Sequence, residues 1–477
     1  MAKARVPTDD QLQRITGRGV AEIIPERELL DGLRAGKPLR LKLGLDPTRP
    51  VVTLGWAVPL RKLRQLQDLG HTAVIIVGDW TARIGDPSGQ SQTRSMLTAE
   101  EVNANCEAVL PQFFKILDES RTEVRRQSEW FDGFDLTEVV RLTSRFTVAQ
   151  IMERDDFAQR YAERKPVGLH ELLYPLLQGY DSVAIEADVE FGGTDQKFNI
   201  LVGRELQRAA GQTAGPTGEG QAVFLVPLLV GLDGAQKMSQ SLGNFVAIND
   251  PPHDMYGKLM SIPDTLIGDY FELLTDVPES ELAEVREAVA RGGAEVRDAK
   301  MRLAGEIVSQ FHSLEAAVEA ERGFVRTFRE KEAPEEGMLT VGIPFERAAT
   351  ALREGSWIRI SLWKSSESPS IGHGFVSFEG GVMRLSVDKT PKVPEPAKDE
   401  IARQRTGLQS GSGIVLSLLD IIEPSLRRSR LEAKRLIRQK GVDVDGQTVG
   451  GEFVFVSPGS VIRVGKHRFL RIVDADL

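Results

Sequence analysis

Lys42-Leu43-Gly44-Leu45-Asp46-Pro47-Thr48 opens the stretch that decides the fold. The stretch passes through Thr53-Leu54-Gly55-Trp56 and ends at Gly85-Asp86-Pro87-Ser88-Gly89-Gln90, with Arg94 just beyond. Two short apolar runs, Leu41–Leu45 and Ala73–Val77, read as strands bounded by turn residues. Between them, Pro59 to Leu69 carries apolar residues at helical spacing. Strand, Gly/Pro loop, helix and strand make a βαβ unit, right-handed almost without exception. Ligands in such a sheet sit beyond the carboxyl ends of the strands. Asp46, Thr48 and Gly55 fall there, and so do Asp79 and the Asp86 loop. A glycine at a helix N-terminus lets a phosphate approach bare backbone N–H groups.

A chain of 477 residues is too long for one core, and about three domains are expected. Its 41% hydrophobic and 27% charged content is that of a soluble globular protein. A net charge of -9 excludes wholesale coating of nucleic acid but leaves room for a local basic patch. One cysteine, Cys106, excludes an internal disulfide framework, fits a reducing compartment and reads as a packed helix residue. No apolar run reaches the ~20 residues of a membrane span, and Met1-Ala2-Lys3-Ala4-Arg5 leads into no signal-peptide h-region. A cytoplasmic protein without membrane partners is expected.

In chain order, residues 8–35 read as helical, including Glu22-Ile23-Ile24 and Leu29-Leu30. After the βαβ core, Thr98-Ala99-Glu100-Glu101 is a capping box that opens a helix through about Leu117. Helical patterns continue to Gln159, broken at Phe131–Phe134, and resume from His170 to Gly179. Tyr174, Gln178 and Asp181 are spaced i, i+4, i+7 and so share one helix face. A phenol, an amide and a carboxylate there can define a polar pocket for a zwitterion or a hydroxyl; a solvated amphipathic face has the same spacing. Gly192-Gly193-Thr194-Asp195-Gln196 reads as a strand end that brings backbone close to a ligand. Gly234-Ala235-Gln236-Lys237-Met238-Ser239-Gln240-Ser241-Leu242-Gly243-Asn244 suits a phosphate clamp, or an ordinary surface turn.

Together the three regions resemble a class I aminoacyl-tRNA synthetase, and within that class a bacterial tyrosyl-tRNA synthetase. The resemblance runs from about Ile24 to Val277 and includes Leu66-Gln67-Asp68-Leu69-Gly70-His71 and Gly192 to Glu205. It implies an α/β, Rossmann-type parallel-sheet catalytic domain followed by a helical domain. It also implies ATP as a substrate with Mg2+, no tightly bound cofactor, tyrosine, tRNA(Tyr) and a homodimer. By the same resemblance, Asp181 accepts a hydrogen bond from the substrate phenol, while Tyr174, Gln178 and Asp86 hold the α-amino group. An unpaired polar group in such a pocket rejects phenylalanine, and this enzyme family is the usual illustration of that rule. Gln196 flanks the reacting carboxylate and Asp195 holds the ribose. Asp46, Thr48, Gly55 and Gly193 lie near the nucleotide, and Lys237 and Arg94 face the pyrophosphate. The implied chemistry is attack of the tyrosine carboxylate on the α-phosphorus of ATP, in which positioning and charge stabilisation carry the rate.

The sequence departs from the family pattern in both signatures. The first normally reads His-Ile-Gly-His or His-Leu-Gly-His; here it is Thr53-Leu54-Gly55-Trp56. The second normally reads Lys-Met-Ser-Lys-Ser; here it is Lys237-Met238-Ser239-Gln240-Ser241. Gln90 stands where the family often has a basic residue after Gly89. Pro59 falls in the expected first turn of the signature helix, where proline is tolerated. Each signature change removes or weakens a donor aimed at the phosphates. Losing one such donor costs ~3 kcal/mol, or ~10²–10³ in rate, and losses on one leaving group are coupled rather than additive. Thr53 keeps a hydroxyl and Trp56 an indole N–H. Two readings follow: a tyrosine-activating enzyme with a modified phosphate site, or a paralogue that binds tyrosine or RNA and activates poorly.

Four segments are expected: a catalytic domain at 1–235, the second signature loop and a helical domain at 236–332, an insertion and linker at 333–412, and a small domain at 413–477. Helical patterns run from Asp254 to Glu332 after Pro251-Pro252. Gly372 to Gly381 reads as a β-hairpin or small insertion, and Lys389 to Glu400 as a Pro/Lys-rich linker. Leu426 to Lys440 reads as an amphipathic helix with Leu431, Leu436 and Ile437 on its apolar face. Residues 424–440 hold seven basic residues and one acidic, reversing the sign of the whole chain. Val461 to Val473 alternates as a final strand, with Arg463, Lys466, His467, Arg468 and Arg471 exposed. A basic helix beside small strands is an RNA-binding footprint. Ser429 to Ile437 resembles the S4 RNA-binding domain, an α+β module, and Arg427, Arg428, Arg430, Lys434, Arg435 and Arg438 are its candidate RNA contacts.

Overall fold

The computed structural model describes residues 4–86, 97–212, 215–216, 218–326, 339–343, 357–363, 372–379, 382–386, 414–419, 421–422, 430–465 and 468–474. Two compact units divide the chain, Met1–Ala317 and Val318–Leu477.

The first unit begins with helix α1 (Asp9–Thr16), strand β1 (Glu22–Ile24) and helix α2 (Glu26–Arg34). Glu22-Ile23-Ile24 is therefore a strand and not part of the expected helix. Its β-branched pair extends readily, and it lies antiparallel against β6 (Ala222–Val226). The βαβ unit follows as β2 (Arg40–Leu45), α3 (Leu54–Gln67) and β3 (Thr72–Val77). β2 and β3 pair in parallel from Arg40↔Thr72 to Leu45↔Val77. α3 starts five residues before the expected start at Pro59, which places Pro59 inside the helix. There it removes one intrahelical donor. The buried face of Leu54, Ala57, Val58, Leu60, Leu63 and Leu66 holds the helix on the sheet regardless.

α4 (Thr81–Ile84) ends at Gly85, whose φ of 83° turns the chain into Asp86. α5 (Ala99–Phe113) carries the expected capping box between Thr98 and Glu101, and Cys106 is buried on it. The continuous helical pattern expected up to Gln159 is interrupted by a strand, β4 (Thr122–Arg126), parallel to β3. Helices α6 (Ser128–Phe131), α7 (Leu136–Thr143), α8 (Val148–Ile151) and α9 (Asp155–Ala162) follow. Next come α10 (Tyr174–Ile185), β5 (Val189–Gly193), α11 (Lys197–Ala209) and β6. The sheet order is β1-β6-β5-β2-β3-β4, and every pairing except β1 with β6 is parallel. The chain winds outward from β2 through β3 to β4, then returns to β5 on the other side. The switch point therefore lies between β2 and β5, where open α/β sheets bind ligands. Helices α12 (Pro252–Met260), α13 (Ile267–Leu274), α14 (Glu279–Arg291), α15 (Ala294–Phe311) and α16 (Leu314–Val325) follow the helical pattern expected after Pro251-Pro252, α16 running across the boundary between the units; its expected end, residues 327–332, lies outside the described residues. Among the described residues no helix is long and apolar enough to cross a membrane.

The second unit holds β7 (Leu339–Ile343), β8 (Trp357–Trp363), β9 (Gly372–Glu379), β10 (Val382–Ser386) and β11 (Ile414–Ser417). It continues with the helix Arg430–Arg438 and strands β12 (Val442–Val444), β13 (Gln447–Thr448), β14 (Phe453–Val456), β15 (Val461–Val464) and β16 (Arg468–Asp474). All ten strands share one sheet. β9 and β10 form an antiparallel hairpin, but it is longer than the one expected within Gly372 to Gly381: that stretch supplies only the first strand, β9. The single strand expected over Val461 to Val473 is instead a hairpin, β15 with β16, and the break falls at Gly465 with φ 70°. On the basic helix, Ala433 and Ile437 are buried, whereas Leu431 is 81% exposed and does not join the apolar face. Ala433 takes its place because it is one turn before Ile437.

Candidate active site

A cleft of about 640 Å³ opens at the carboxyl ends of the central strands. Asp46 and Thr48 line it from the loop after β2, and Thr53, Gly55 and Trp56 from the start of α3. Asp86 enters from the turn after α4, and Tyr174, Gln178 and Asp181 from α10. Gly193, Asp195 and Gln196 enter after β5, and Lys237 and Gln240 from the loop after β6. Residues dispersed in sequence from Asp46 to Gln240 thus meet at the switch point. Arg94 lies outside the described residues, as do Pro87 to Gln90.

One end of the cleft is built around Asp181. Its carboxylate accepts from Gln127 Nε2 at 2.8 Å and from Trp130 Nε1 at 3.2 Å. Burial pushes this carboxyl up to about 7, with the Lys42 charge working against that rise. Tyr174 is buried and donates its hydroxyl to Asp46 Oδ2 at 2.8 Å, while Thr81 donates to Asp46 Oδ1 at 2.7 Å. Burial, then the charges of Asp46 and Asp86, raise the Tyr174 phenol well above its usual range, so it stays a donor. Asp86 accepts from Gln196 Nε2 at 2.9 Å and from Arg154 Nη2 at 3.2 Å. Gln178 donates to Glu190 Oε1 at 3.2 Å and accepts from Asn199 at 3.0 Å. The centre of the cleft is therefore rich in acceptors held by fixed donors, an arrangement suited to an ammonium group.

The other end carries the altered signatures. Thr53 is buried at the N-cap of α3 and makes no side-chain capping bond there. Gly55 follows, and a Cβ at that position would stand 3.3 Å from Thr53 Oγ1. The Trp56 ring packs on Phe113, with centroids 5.6 Å apart. The Lys237 ammonium lies 2.6 Å from Asp195 Oδ2. Gln240 turns its amide N–H onto the Val51 carbonyl. Among the described residues no group of three or more His, Cys, Asp or Glu could hold a metal ion.

Residues 34–329 match the family of class I tRNA synthetases (W and Y). The chain belongs to this family. A tyrosine–tRNA ligase of Dehalococcoides mccartyi is 44% identical over 98% of this chain and 99% of its own length. One from Thermotoga maritima is 43% identical over 98% of each. Among solved structures, the tyrosyl-tRNA synthetase of Archaeoglobus fulgidus complexed with L-tyrosine superposes with a TM-score of 0.53 at 24% identity, covering 65% of this chain and 99% of that one. A truncated mitochondrial tyrosyl-tRNA synthetase of Aspergillus nidulans gives 0.56 at 20% identity, covering 67% and 94%. At such identities the likeness speaks for the fold.

Beyond the signatures, side chains that the motifs did not reveal hold the cleft residues in place. Gln127 and Trp130 hold Asp181, yet both lie in a stretch that reads as plain helix. Arg154 and Asn199 meet at 3.1 Å across 45 residues of sequence, with no spacing to betray them. Lys42 and Glu190 did leave a signal: each is a charge inside an apolar strand, and a buried charge needs a partner. In the second unit, Lys434, Arg435 and Arg438 are exposed on the basic helix, which Arg430 begins. Arg427 and Arg428 lie outside the described residues, as do Lys466 and His467. Arg463 pairs with Asp443 instead of standing free.

Proposed function

We infer that this chain is a tyrosine–tRNA ligase. It activates tyrosine with ATP to tyrosyl-adenylate, releases pyrophosphate, and passes the tyrosyl group to the 3′ end of tRNA(Tyr). The observation that carries this reading is Asp181: a buried carboxylate at the end of an acceptor-rich cleft, in a chain similar along nearly its whole length to tyrosine–tRNA ligases. A phenol fits that end by donating to Asp181, and phenylalanine would leave the buried carboxylate without that further hydrogen bond. The substrate ammonium meets Gln178, Tyr174 and Asp86, and Gln196 lies beside the reacting carboxylate. The nucleotide sits between Asp46, Thr48, Gly55 and Gly193, with its ribose on Asp195 and its leaving pyrophosphate toward Lys237 and Arg94. Thr53, Trp56 and Gln240 complete the phosphate end with neutral donors. Magnesium enters with ATP rather than on a resident site. Catalysis is by positioning and charge stabilisation, since phosphoryl chemistry of this kind needs little covalent help.

The basic helix with Arg430, Lys434, Arg435 and Arg438 holds the tRNA backbone, together with Arg427 and Arg428; phosphate and shape contacts dominate such binding. The enzyme works as a homodimer in the cytoplasm. Leu136 and Val140, one turn apart on α7, are 78% and 58% exposed, an apolar pair of the kind a second copy covers. The test is tyrosine-dependent exchange of labelled pyrophosphate into ATP. Exchange with tyrosine and none with phenylalanine is expected. Tyrosine binding without exchange would overturn the assignment as a ligase.

A further inference from the structure

Lys42 on β2 and Glu190 on β5 are directly paired across the two central strands, and their side chains form an ion pair at 3.0 Å. The side chains are 0% and 1% exposed. Neither lines the cleft. An apolar pair of similar volume often serves stability as well as a buried ion pair does, and this pair holds more than itself.

Lys42 Nζ also donates to Ser182 Oγ and to the backbone carbonyl of Gln178, each at 2.8 Å, which uses all three of its protons. Glu190 Oε2 accepts from Ser182 Oγ at 3.0 Å and from Gln221 Nε2 at 2.5 Å. Glu190 Oε1 accepts from Gln178 Nε2 at 3.2 Å. A carboxylate can only accept. Gln178 must therefore turn its NH2 to Glu190 and its carbonyl Oε1 away from it. The far end of the chain of amides is fixed in the opposite sense. Arg154 Nη1 donates to Asn199 Oδ1 at 3.1 Å, and a guanidinium can only donate. Asn199 must therefore present its NH2, which it gives to Gln178 Oε1 and Gln196 Oε1, each at 3.0 Å. An obligate acceptor at one end and an obligate donor at the other determine all three amides between them. Each Gln carbonyl oxygen has two lone pairs, and Asn199 takes one of those on Gln178.

We propose that Glu190, neutralised by Lys42, is a positioning residue that fixes the orientation of Gln178, so that a carbonyl oxygen meets the substrate ammonium. The proposal rests on the amino-acid site assigned above. In the Glu190→Gln variant the partner at that end can face Gln178 with either end, so the orientation rests on Asn199 alone.

The experiment titrates the full chain and its Glu190→Gln variant with tyrosine, with tyramine, and with 3-(4-hydroxyphenyl)propionate, which lacks the amine. Calorimetry should show tyrosine and tyramine weakened by about tenfold, the scale of one charge-assisted hydrogen bond, and the propionate unchanged. Equal weakening of all three ligands, or of none, overturns the proposal. The double variant Lys42→Met/Glu190→Met leaves no orphaned charge and serves if the single variant melts early. It should show the same amine-selective loss, and its absence there also overturns the proposal. If the unmodified chain binds neither tyrosine nor tyramine, the amino-acid site itself is wrong, and the inference falls with it.

Discussion

The Lys237 ammonium lies 2.6 Å from Asp195 Oδ2 and ties the loop after β6 to the loop after β5. Both side chains are partly exposed, at 34% and 21%, and a pair of that kind contributes only about 0–1 kcal/mol. A nucleotide can therefore separate them at little cost, ribose hydroxyls taking Asp195 and phosphates taking Lys237. Lys237→Met should lower the exchange turnover by ~10²–10³ while leaving the tyrosine KM in place. Asp195→Asn should raise the ATP KM. Exchange kinetics with ATP and tyrosine varied in turn separate the two effects, and a Lys237→Met variant with full turnover would remove that residue from the phosphate end.

With Asp181 as the proposed partner of the substrate phenol, tyrosine binding should depend on pH. Burial raises the Asp181 carboxyl to about 7, and an ionised carboxylate accepts more strongly than a neutral one. The tyrosine KM should fall as pH rises from 6 to 8, and Asp181→Asn should flatten that profile. Asp181→Ala should also reduce discrimination against phenylalanine by about 10- to 100-fold, the cost of one unmade buried hydrogen bond. Exchange rates for both amino acids across that pH range check both expectations.

The parts of this site that were legible in the sequence are those set by chain geometry. A short apolar run, a Gly/Pro loop and a helix fix a strand end, so Asp46, Gly55 and the Asp195 turn could be placed before any coordinate. Helical spacing likewise put Tyr174, Gln178 and Asp181 on one face. What stayed hidden depends on long-range pairing. Glu22-Ile23-Ile24 becomes a strand only because β6 offers it an edge, and β4 because β3 does. Pro59 hides the true start of α3, since proline argues against a helix interior while packing decides otherwise. Leu431 shows the converse error: spacing nominates an apolar face, but only burial selects Ala433 for it.

Gly78 guards the hydrogen bonds around Asp46. A Cβ there would run into Asp46 Oδ1 and Thr81 Oγ1, both anchored polar atoms. Gly78→Ala should displace Asp46 and with it the Tyr174 hydroxyl. The expected result is a higher KM for both substrates and a stability loss of about 1–3 kcal/mol, the range for overpacking. Urea unfolding and exchange kinetics on the same preparation test both parts. Unchanged kinetics would mean that Asp46 does not organise this end of the cleft.

Two buried groups act on acid stability with opposite signs. Asp181 is raised from 3.8 to about 7, so the folded state holds its proton more tightly and stability falls as pH rises through that window. His71 is lowered from 6.5 to about 4 by burial, so the folded state holds its proton less tightly and stability falls as pH drops through that window. Between about 4 and 6.5 the two slopes offset each other. Asp181→Asn should remove one of them and expose a steeper loss on acidification. Urea midpoints at several pH values would show it, and identical slopes in the two proteins would mean that Asp181 titrates elsewhere.

Gln240 is where the second signature departs furthest from the family pattern, and its amide donates to the Val51 carbonyl instead of carrying a charge. Val51 and Val52 lead directly into Thr53, so this contact ties the altered second signature to the altered first one. A lysine at 240 would place a cation in a cleft already lined by Lys237 and Arg49. Charge stabilisation of a leaving pyrophosphate is worth ~10²–10³ per preorganised donor. A donor added without its supporting histidines is less well held and should recover only part of that. Gln240→Lys should therefore raise exchange turnover by about tenfold without changing the tyrosine KM. The combined variant Thr53→His/Trp56→His/Gln240→Lys should exceed the product of the separate gains, because groups acting on one leaving group are coupled. Strictly multiplicative gains would show instead that the two signatures act independently.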